Sequence, residues 1–454
     1  MGKLSRTGLV SLLIVLILSG CSGSKREDTS GKLKIVTSFD RFTFSSYFGG
    51  NQFELAHPEY EVAYASANTL PFGAADYWDK YVGLLESEKP DVIAISNIFD
   101  YYKLLSAGLL KDMSAMVRKD GFDLDVVDPT ILSLLQYPSE PNELFGLAPF
   151  FNPTAIYYNQ TLFKKYGIPL PKSEMTWEEM LQLASRFPNQ NEYGERLYGY
   201  HHRAYSTPGF YVDYFSGLEG LSAMEGDHLT MDDARWRTIM DELLQAVKLN
   251  AVSFAPNEGA VRYDDPESGG DAPFLDGRVA MIEGDALFMN QLDQRRPEFD
   301  WGIMPKVVSL DRSKSMPSYP SLIYAIYRDA PNVDSAWEFI RYMNDSATLK
   351  LMSQTVPQLP TQPNISMERL GRSLETFYTT KTLPPSIAVA NKPMIVSPFF
   401  RSQKLNPIID EEFGRALEGT RSVDAMIAAI RSRGQEAYDQ ALAEFRAGDN
   451  GVAR

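Results

Sequence analysis

Cysteine is almost absent from this sequence: Cys21 is the single one among 454 residues. A lone thiol leaves no partner for an internal disulfide and excludes a zinc site built from several cysteines. Histidine is also rare, with four residues, and the motifs of phosphate-binding loops, HExxH zinc proteases, GxSxG hydrolases and EF-hands are missing. We therefore expect neither a metal nor a cofactor, and we assign no catalytic residue.

Long apolar runs are scarce as well. The one that stands out is LVSLLIVLIL at residues 9–18, which follows the basic residues Lys3 and Arg6. A basic start and a short apolar stretch are typical of a secretory signal. A membrane-spanning helix needs roughly 20 apolar residues, so this run is too short to cross a bilayer. It predicts export from the cytoplasm.

Cys21 follows this run in the stretch LSGC, which resembles the lipobox of bacterial lipoproteins. The resemblance implies that residues 1–20 are a signal peptide, that Cys21 becomes the lipidated first residue of the mature protein, and that residues 21–31 are a flexible tether. Each buried CH₂ group of a lipid chain contributes about 0.8 kcal/mol, so several chains hold a soluble body at a membrane. The alternative is a buried or incidental thiol. We expect a protein that is lipid-anchored to the extracytoplasmic face of the cell membrane.

Basic residues are too few to balance the acidic ones. Lysine and arginine number 44 against 59 aspartate and glutamate residues, which gives a formal net charge of −15. Such a surface repels nucleic acid and anionic lipid headgroups, so we expect no nucleic-acid partner. The hydrophobic fraction of 44% is sufficient for two domains, each with its own core.

The body of the chain alternates between strand and helix patterns. The segments KLKIVTSF at residues 32–39 and KPDVIAIS at residues 89–96 predict buried strands. The segment YWDKYVGLLESE at residues 77–88 has the apolar spacing of a helix. This alternation indicates an α/β fold.

Helix boundaries are marked at several later points. Thr176 is an N-cap candidate with Glu179 three residues further on, which is the capping-box pattern. Apolar residues recur at helical spacing in residues 332–345. The C-terminal part predicts two helices that are broken near Gly419, with Ser422 as the cap of the second.

Three segments carry a recognisable pattern. Residues 143–185 read ELFGLAPFFNPTAIYYNQTLFKKYGIPLPKSEMTWEEMLQLAS, residues 274–292 read FLDGRVAMIEGDALFMNQL, and residues 319–345 read YPSLIYAIYRDAPNVDSAWEFIRYMND. In composition and order they resemble the family 1 extracellular solute-binding proteins of ABC importers, the group that contains the maltose- and oligosaccharide-binding proteins. The upstream segment PDVIAISNIFDYYKLLSAGLLKDMS extends the resemblance over nearly the whole mature chain.

This resemblance implies a two-lobed α/β fold of the type II periplasmic-binding-protein class, with a ligand cleft between lobes that close by a hinge motion. It places the first lobe at residues 32–148 plus 308–375 and the second at residues 149–307 plus 376–454. The segment GLAPFFNP, whose two prolines restrict the backbone, is expected to cross between the lobes. The expected state is a monomer that works with the permease subunits of an ABC transporter.

The candidate ligand-binding residues follow the predicted strands, because open α/β sheets bind ligands outside the carboxyl ends of their strands. Sugars present hydroxyl groups and apolar faces, which suit amides, carboxylates and aromatic rings. Ala286 and Leu287 stand where many family members carry tryptophan, so Phe288 is the replacement candidate for a stacking platform. The expected ligand-binding residues are Asp40, Arg41, Asn97, Asn152, Tyr205, Tyr211, Tyr214, Glu283, Asp285 and Phe288, with Asp100 and Tyr101 as second choices.

From this resemblance we expect the protein to capture a sugar, in particular an oligosaccharide, and to deliver it to an ABC permease without catalysing a reaction. Two alternatives stay open. One is a surface-anchored glycan-degrading enzyme that uses cleft carboxylates, and the other is a solute sensor for a membrane receptor kinase. The acidic candidates favour a neutral sugar, whereas a uronic acid would require Arg41 and Arg203 to face the cleft.

Overall fold

The computed structural model describes residues 31–70, 76–137, 140–202, 207–253, 271–379 and 401–452. The strands are β1 (Lys32–Thr37), β2 (Glu61–Ser66), β3 (Val92–Ile95), β4 (Gln136–Tyr137), β5 (Glu140–Leu144), β6 (Phe150–Asn152), β7 (Thr154–Asn159), β8 (Tyr198–His202), β9 (Met224–Glu225), β10 (His228–Leu229), β11 (Val279–Asp285), β12 (Trp301–Met304), β13 (Tyr319–Pro320), β14 (Ile323–Ile326), β15 (Leu359–Pro360), β16 (Glu368–Arg369) and β17 (Arg372–Ser373). The α-helices are α1 (Arg41–Tyr47), α2 (Gly50–Ala56), α3 (Tyr77–Glu88), α4 (Ile98–Ser106), α5 (Ser114–Asp120), α6 (Pro129–Leu135), α7 (Gln160–Lys165), α8 (Trp177–Ala184), α9 (Pro208–Leu218), α10 (Ala234–Lys248), α11 (Ala272–Leu275), α12 (Leu287–Arg295), α13 (Val333–Met343), α14 (Ser346–Met352), α15 (Asn406–Leu417) and α16 (Val423–Val452).

The first sheet has the strand order β14-β3-β1-β2. Strands β1, β2 and β3 are parallel, and β14 pairs with β3 in the antiparallel direction through Ile323 and Ile95. All four residues of β3 are buried, as expected for a central strand that is covered on both faces. The sequence predictions of strands β1 and β3 and of helix α3 are confirmed.

Local capping signals also predicted helix boundaries correctly. The hydroxyl of Thr176 accepts a hydrogen bond from the Glu179 amide, and the Glu179 carboxylate accepts one from the Thr176 amide, which completes the capping box. Gly419 adopts φ +76 between α15 and α16, a conformation that glycine adopts without strain. The Ser422 hydroxyl accepts from the Ala425 amide and caps α16.

The second sheet has the strand order β12-β7-β11-β8. Strand β8 runs parallel to β11, whereas β7 is antiparallel to both β11 and β12. Three strands therefore end at the edge of the sheet where β7 begins. Asp285 and Met304 lie at this edge, opposite Thr154 and Ile156 of β7.

A third, small sheet connects these two halves. Its order is β13-β6-β15, with Tyr319 opposite Asn152 and Leu359 opposite Phe151. Strand β6 leads into β7 of the second sheet, and β13 leads into β14 of the first. The chain therefore forms two α/β lobes that are joined by crossing strands, which is the predicted fold class.

Two segments that were assigned to the first lobe form hydrogen bonds with the second. Val308 exchanges main-chain hydrogen bonds with Met175 and Trp177 of the second lobe. Arg372 donates to the main-chain oxygen of Trp301, also in the second lobe, at 3.1 Å. Residues near 308 and 372 were both assigned to the first lobe, and the predicted lobe boundaries stay predictions.

Cys21, the signal segment and most of the tether lie outside the described residues, as do Tyr205 and Arg203. Within the described ranges, the chain forms no helix that combines the length and the apolar character needed to cross a membrane. The predictions about lipidation and export therefore stay predictions.

Candidate functional site

The carboxyl ends of both large sheets adjoin the small connecting sheet. Thr154, the first residue of β7, follows Asn152 at the end of β6 by two positions. Ile323, the first residue of β14, follows Pro320 at the end of β13 by three. Because strand ends of both lobes meet the crossing strands, the candidate cleft lies between these edges. Asn152 has an exposed side chain there.

Glu283 is the centre of a buried polar cluster at the edge of the second sheet. Its side chain is 4% exposed. One carboxylate oxygen accepts a 2.7 Å hydrogen bond from the Thr154 hydroxyl. The other accepts from the hydroxyls of Tyr214 at 2.6 Å and Tyr200 at 3.4 Å. Both oxygens are thus bound by the protein itself, so Glu283 shapes the site by holding its neighbours in place.

Two basic side chains lie near this carboxylate. Burial lowers the pKa of Lys306 to about 8, and the negative charge of Glu283 opposes that shift. Burial likewise lowers the pKa of His202, again against the effect of Glu283. Burial thus disfavours the charged form of both basic side chains, and the nearby Glu283 favours it.

Asp285 ends β11 two residues after Glu283 and is only partly buried. One carboxylate oxygen accepts a 3.1 Å hydrogen bond from the main-chain amide of Phe288, and its main-chain oxygen accepts a 2.7 Å bond from the Tyr157 hydroxyl. These bonds fix the start of α12. The residue as a whole is partly exposed at the sheet edge.

Aromatic rings extend the site along β8 and α9. The amide of His202 donates to the buried Tyr211 hydroxyl at 3.1 Å, so Tyr211 supports the backbone from within the core. Phe210 is partly exposed, and its ring centroid lies 4.5 Å from that of His202. Among the described residues of β8 and α9, this pair is a partly exposed aromatic surface, whereas Tyr214 is 6% exposed.

In the first lobe, two predicted site residues act as helix caps. The exposed Asp40 carboxylate accepts hydrogen bonds from the amide and hydroxyl of Thr43 at 3.0 and 2.7 Å, and these bonds lower its pKa. Asn97 accepts a 2.7 Å bond from the Asp100 amide and donates a 2.7 Å bond to its carboxylate. Arg41 lies over the Tyr64 ring at 5.3 Å, which is a cation–π geometry.

The family model of the bacterial extracellular solute-binding proteins matches residues 43–348 of this chain. That match covers more than half of its length. The chain belongs to this family.

Several solved structures share the fold of this chain. One is the sugar-binding protein MalE from the phytopathogen Xanthomonas citri, with a TM-score of 0.63 and 13% identity over 91% of this chain and 99% of that one. Another is an ABC substrate-binding protein from Listeria monocytogenes in complex with cycloalternan, with a TM-score of 0.55 and 16% identity over 91% and 99%. A third is a sugar transporter from Rhizobium etli in an open conformation, with a TM-score of 0.58 and 17% identity over 89% and 99%. At these identities the likeness shows the fold alone.

Phe288 does not have the position expected of a stacking platform in this solute-binding protein. Its side chain is fully buried and makes edge contacts with Tyr157 and Phe274 at centroid distances of 4.9 and 5.7 Å. The ring belongs to the core that supports α12, and it offers no surface to a solute. Phe288 follows the end of β11 by three residues, and its sequence position did not reveal which face of α12 it occupies.

Two further aromatic side chains at strand ends, one exposed and one partly buried, were not among the predicted ligand-binding residues. Phe42 directly follows Arg41 in α1 and is 74% exposed. The other is His202, the last residue of β8, whose ring lies beside Phe210. Both follow or end a strand, so the strand-end criterion that selected Asp40 and Asp285 would also have found them.

A cavity of about 600 Å³ lies beside β15, the third in chain order of the crossing strands β6, β13 and β15. Its walls come from α12, from the end of α14 and from the segment around Arg369. Arg369 donates to the main-chain oxygens of Pro357 at 2.8 Å and Ala286 at 3.3 Å, and burial lowers its pKa. It therefore ties the start of α12 to the chain just before the third crossing.

The described residues contain no group of three or more histidine, cysteine, aspartate or glutamate side chains that is arranged to hold a metal ion. The polar groups of the site are bound to one another or exposed at the sheet edge. Polar groups of this kind can hydrogen-bond a solute, and a partly exposed ring can pack against its apolar face.

Proposed function

We propose that this protein is an extracytoplasmic receptor that captures a sugar, in particular an oligosaccharide, and delivers it to an ABC transporter permease. Lobe closure around the solute would convert binding into a shape that the permease distinguishes from the empty form. The family membership supports the solute-binding part of this proposal. The nature of the solute and the delivery step are inferences.

The observation that most supports a closing cleft is the small connecting sheet. Strands β6, β13 and β15 pair with one another between the two large sheets. Each is only two or three residues long, so changes in a few dihedral angles can rotate one lobe against the other. The candidate residues Asn152 and Asp285 lie next to this sheet on the side of the strand ends.

The chemistry at the sheet edge supports a sugar as the solute. Asn152 offers an exposed amide, Asp285 the carboxylate of a partly exposed residue, and Phe210 with His202 a partly exposed ring surface. Amides and carboxylates can hydrogen-bond hydroxyl groups, and aromatic faces pack against the C–H faces of a pyranose ring. The three structural relatives bind or carry sugars according to their descriptions, which points in the same direction.

A lipid anchor at Cys21 would keep the receptor close to its permease. The apolar segment before Cys21 and the LSGC stretch support lipidation after export. Confinement to the membrane surface raises the effective concentration of receptor at the transporter without any additional contact. The polar residues that follow Cys21 would serve as the tether.

A thermal-shift screen of purified protein against monosaccharides, oligosaccharides, uronic acids, amino acids and polyamines tests the substrate class. A ligand at 100 times its dissociation constant adds about 2.7 kcal/mol of stability, which moves the melting temperature by several degrees for lobes of this size. We expect a shift with one class of neutral saccharide. A shift with amino acids or polyamines alone would reject the sugar assignment and retain the receptor. Release of reducing ends from the stabilising saccharide would instead favour an enzyme.

A further inference from the structure

Lys306 has an unusual position for a lysine. Lys306 is 3% exposed. It follows the end of β12 by two residues, where the chain leaves the second sheet towards the connecting sheet. The ammonium group donates hydrogen bonds to the main-chain oxygen of Met316 at 2.6 Å and to the hydroxyl of Ser318 at 2.9 Å. Ser318, 2% exposed, directly precedes β13. The side chain thus bridges from the second sheet to the start of β13, which is the second strand that crosses between the lobes and is called the second crossing below.

This bridge spans a gap in the main-chain pairing. Residues 305–318 form a hairpin that folds onto the second lobe, with an antiparallel bridge between Val308 and Ser315. After Ser315, the next residue of the chain that pairs through its main chain is Tyr319, which lies opposite Asn152 in the connecting sheet. In the described structure no strand ladder includes residues 316–318. Met316 packs against the core of the second lobe, and Lys306 supplies two hydrogen bonds that hold the main chain of this stretch to the lobe.

The surroundings compensate the charge of Lys306 and link it to the candidate site. Glu283 is the carboxylate whose charge acts on the ammonium group, and Glu283 is itself fixed by Thr154 and Tyr214. A buried lysine is costly to ionise unless a carboxylate and hydrogen-bond acceptors lie close to it. The ammonium group has three donors, of which two bind the crossing segment. The cluster therefore connects the end of β11, through Lys306, to the second crossing.

We propose that Lys306 is a positioning residue that fixes the point at which the second crossing leaves the second lobe, so that bending of the hinge is confined to residues beyond Ser318. A hinge works with a defined pivot only if the chain on each side of it is held. Without this bridge, residues 316–318 bend together with the hinge, and the lobes sample a wider range of angles relative to each other. That this lobe motion serves solute capture rests on the proposed function.

The test measures the distance between the lobes in the absence of any ligand. Cys21 is the sole cysteine, so the full chain with Cys21→Ser accepts two spin labels at new cysteines. Leu55→Cys in the first lobe and Tyr193→Cys in the second use side chains that are 83% and 80% exposed. Double electron–electron resonance then gives the distance distribution in the parent and in Lys306→Met, Lys306→Arg and Lys314→Met. The last is the matched control, since Lys314 is a partly exposed lysine of the same hairpin.

We expect Lys306→Met to broaden the distribution and shift its mean, whereas Lys306→Arg, which retains donors, and Lys314→Met keep the parent distribution. An unchanged distribution in Lys306→Met, or an equal broadening in Lys314→Met, would overturn the proposal. If Lys306→Met does not fold, Ser318→Ala removes one acceptor and should broaden the distribution to a smaller extent; no broadening in that variant also overturns it. A negative sugar screen leaves this result unaffected, so the two proposals fail separately.

Discussion

Tyr214 donates a 2.6 Å hydrogen bond to the carboxylate of Glu283, and both side chains are almost fully buried at the edge of the second sheet. The two residues lie 69 positions apart in the chain, so this bond joins α9 to β11. Burial, followed by the nearby charge of Glu283, raises the pKa of Tyr214 far above the ordinary tyrosine value. The phenol therefore stays a donor at every pH at which the protein is used.

Removal of this donor should destabilise the second lobe. In Tyr214→Phe the carboxylate of Glu283 retains the Thr154 hydroxyl and the longer bond from Tyr200 at 3.4 Å. A hydrogen bond to a buried charged group contributes about 1.5–3 kcal/mol, so we expect a loss of several degrees in the melting temperature. Tyr193→Phe, at a ring that is 80% exposed, is the matched control and should leave the temperature unchanged. Equal melting temperatures for Tyr214→Phe and the parent would contradict this account.

Asp100 should make the stability of the first lobe depend on pH. Burial raises its pKa above the ordinary value, although bonds from Tyr77 and Asn97 act in the opposite direction. The folded state then holds the proton more tightly than the unfolded state. The favourable contribution of Asp100 is fully present below pH about 4 and is lost as the pH rises through the folded-state pKa.

The variant Asp100→Asn cannot ionise and can still accept these bonds through its amide oxygen. We expect its stability relative to the parent to improve as the pH increases from 4 to 7, measured by urea denaturation at each pH. Asp125→Asn, at an exposed position, serves as the control and should show no such trend. A difference between Asp100→Asn and the parent that does not vary with pH would disprove the shift.

Lipidation can be tested through Cys21 in bacterial cells. Cys21→Ser should move the protein from the membrane fraction to the soluble extracytoplasmic fraction and abolish labelling by a palmitate analogue, because the thiol is the attachment point that the LSGC stretch implies. Ser22→Ala changes the adjacent residue and should retain both properties. Membrane association that persists in Cys21→Ser would exclude the proposed anchor.

Much of the architecture could be predicted from local sequence, since strand β3 and helices α3 and α8 follow from short-range apolar spacing and capping. The pairing of β14 with β3 could not, because Ala325 and Ile93 come together from distant parts of the chain. The same holds for the segment around Val308, whose partners Met175 and Trp177 lie more than a hundred positions earlier. Local patterns carry no information about such long-range pairing.

The candidate site shows a second limit of sequence reasoning. Asp40 and Asn97 were selected because they follow strands, and both prove to cap the next helix. In an α/β fold the residue after a strand is often also the first residue before a helix, so a polar side chain there suits both capping and ligand binding. The sequence pattern cannot separate these two roles. Substitutions that retain the cap and alter the charge can do so.

The two phenylalanines near the site should respond differently to substitution. Phe288 is fully buried, so Phe288→Leu should lower the melting temperature by creating space in the core beneath α12. Phe210 is partly exposed beside His202, so Phe210→Leu should leave the fold largely intact and weaken saccharide binding. A lost ring contact of about 0.5–1.5 kcal/mol corresponds to an increase in Kd of up to roughly tenfold. Calorimetric titration with the saccharide that stabilises the parent measures this increase.

An unchanged Kd in Phe210→Leu, together with a raised Kd in a folded Phe288→Leu, would return the stacking role to Phe288 and imply that the ring becomes accessible when the lobes move.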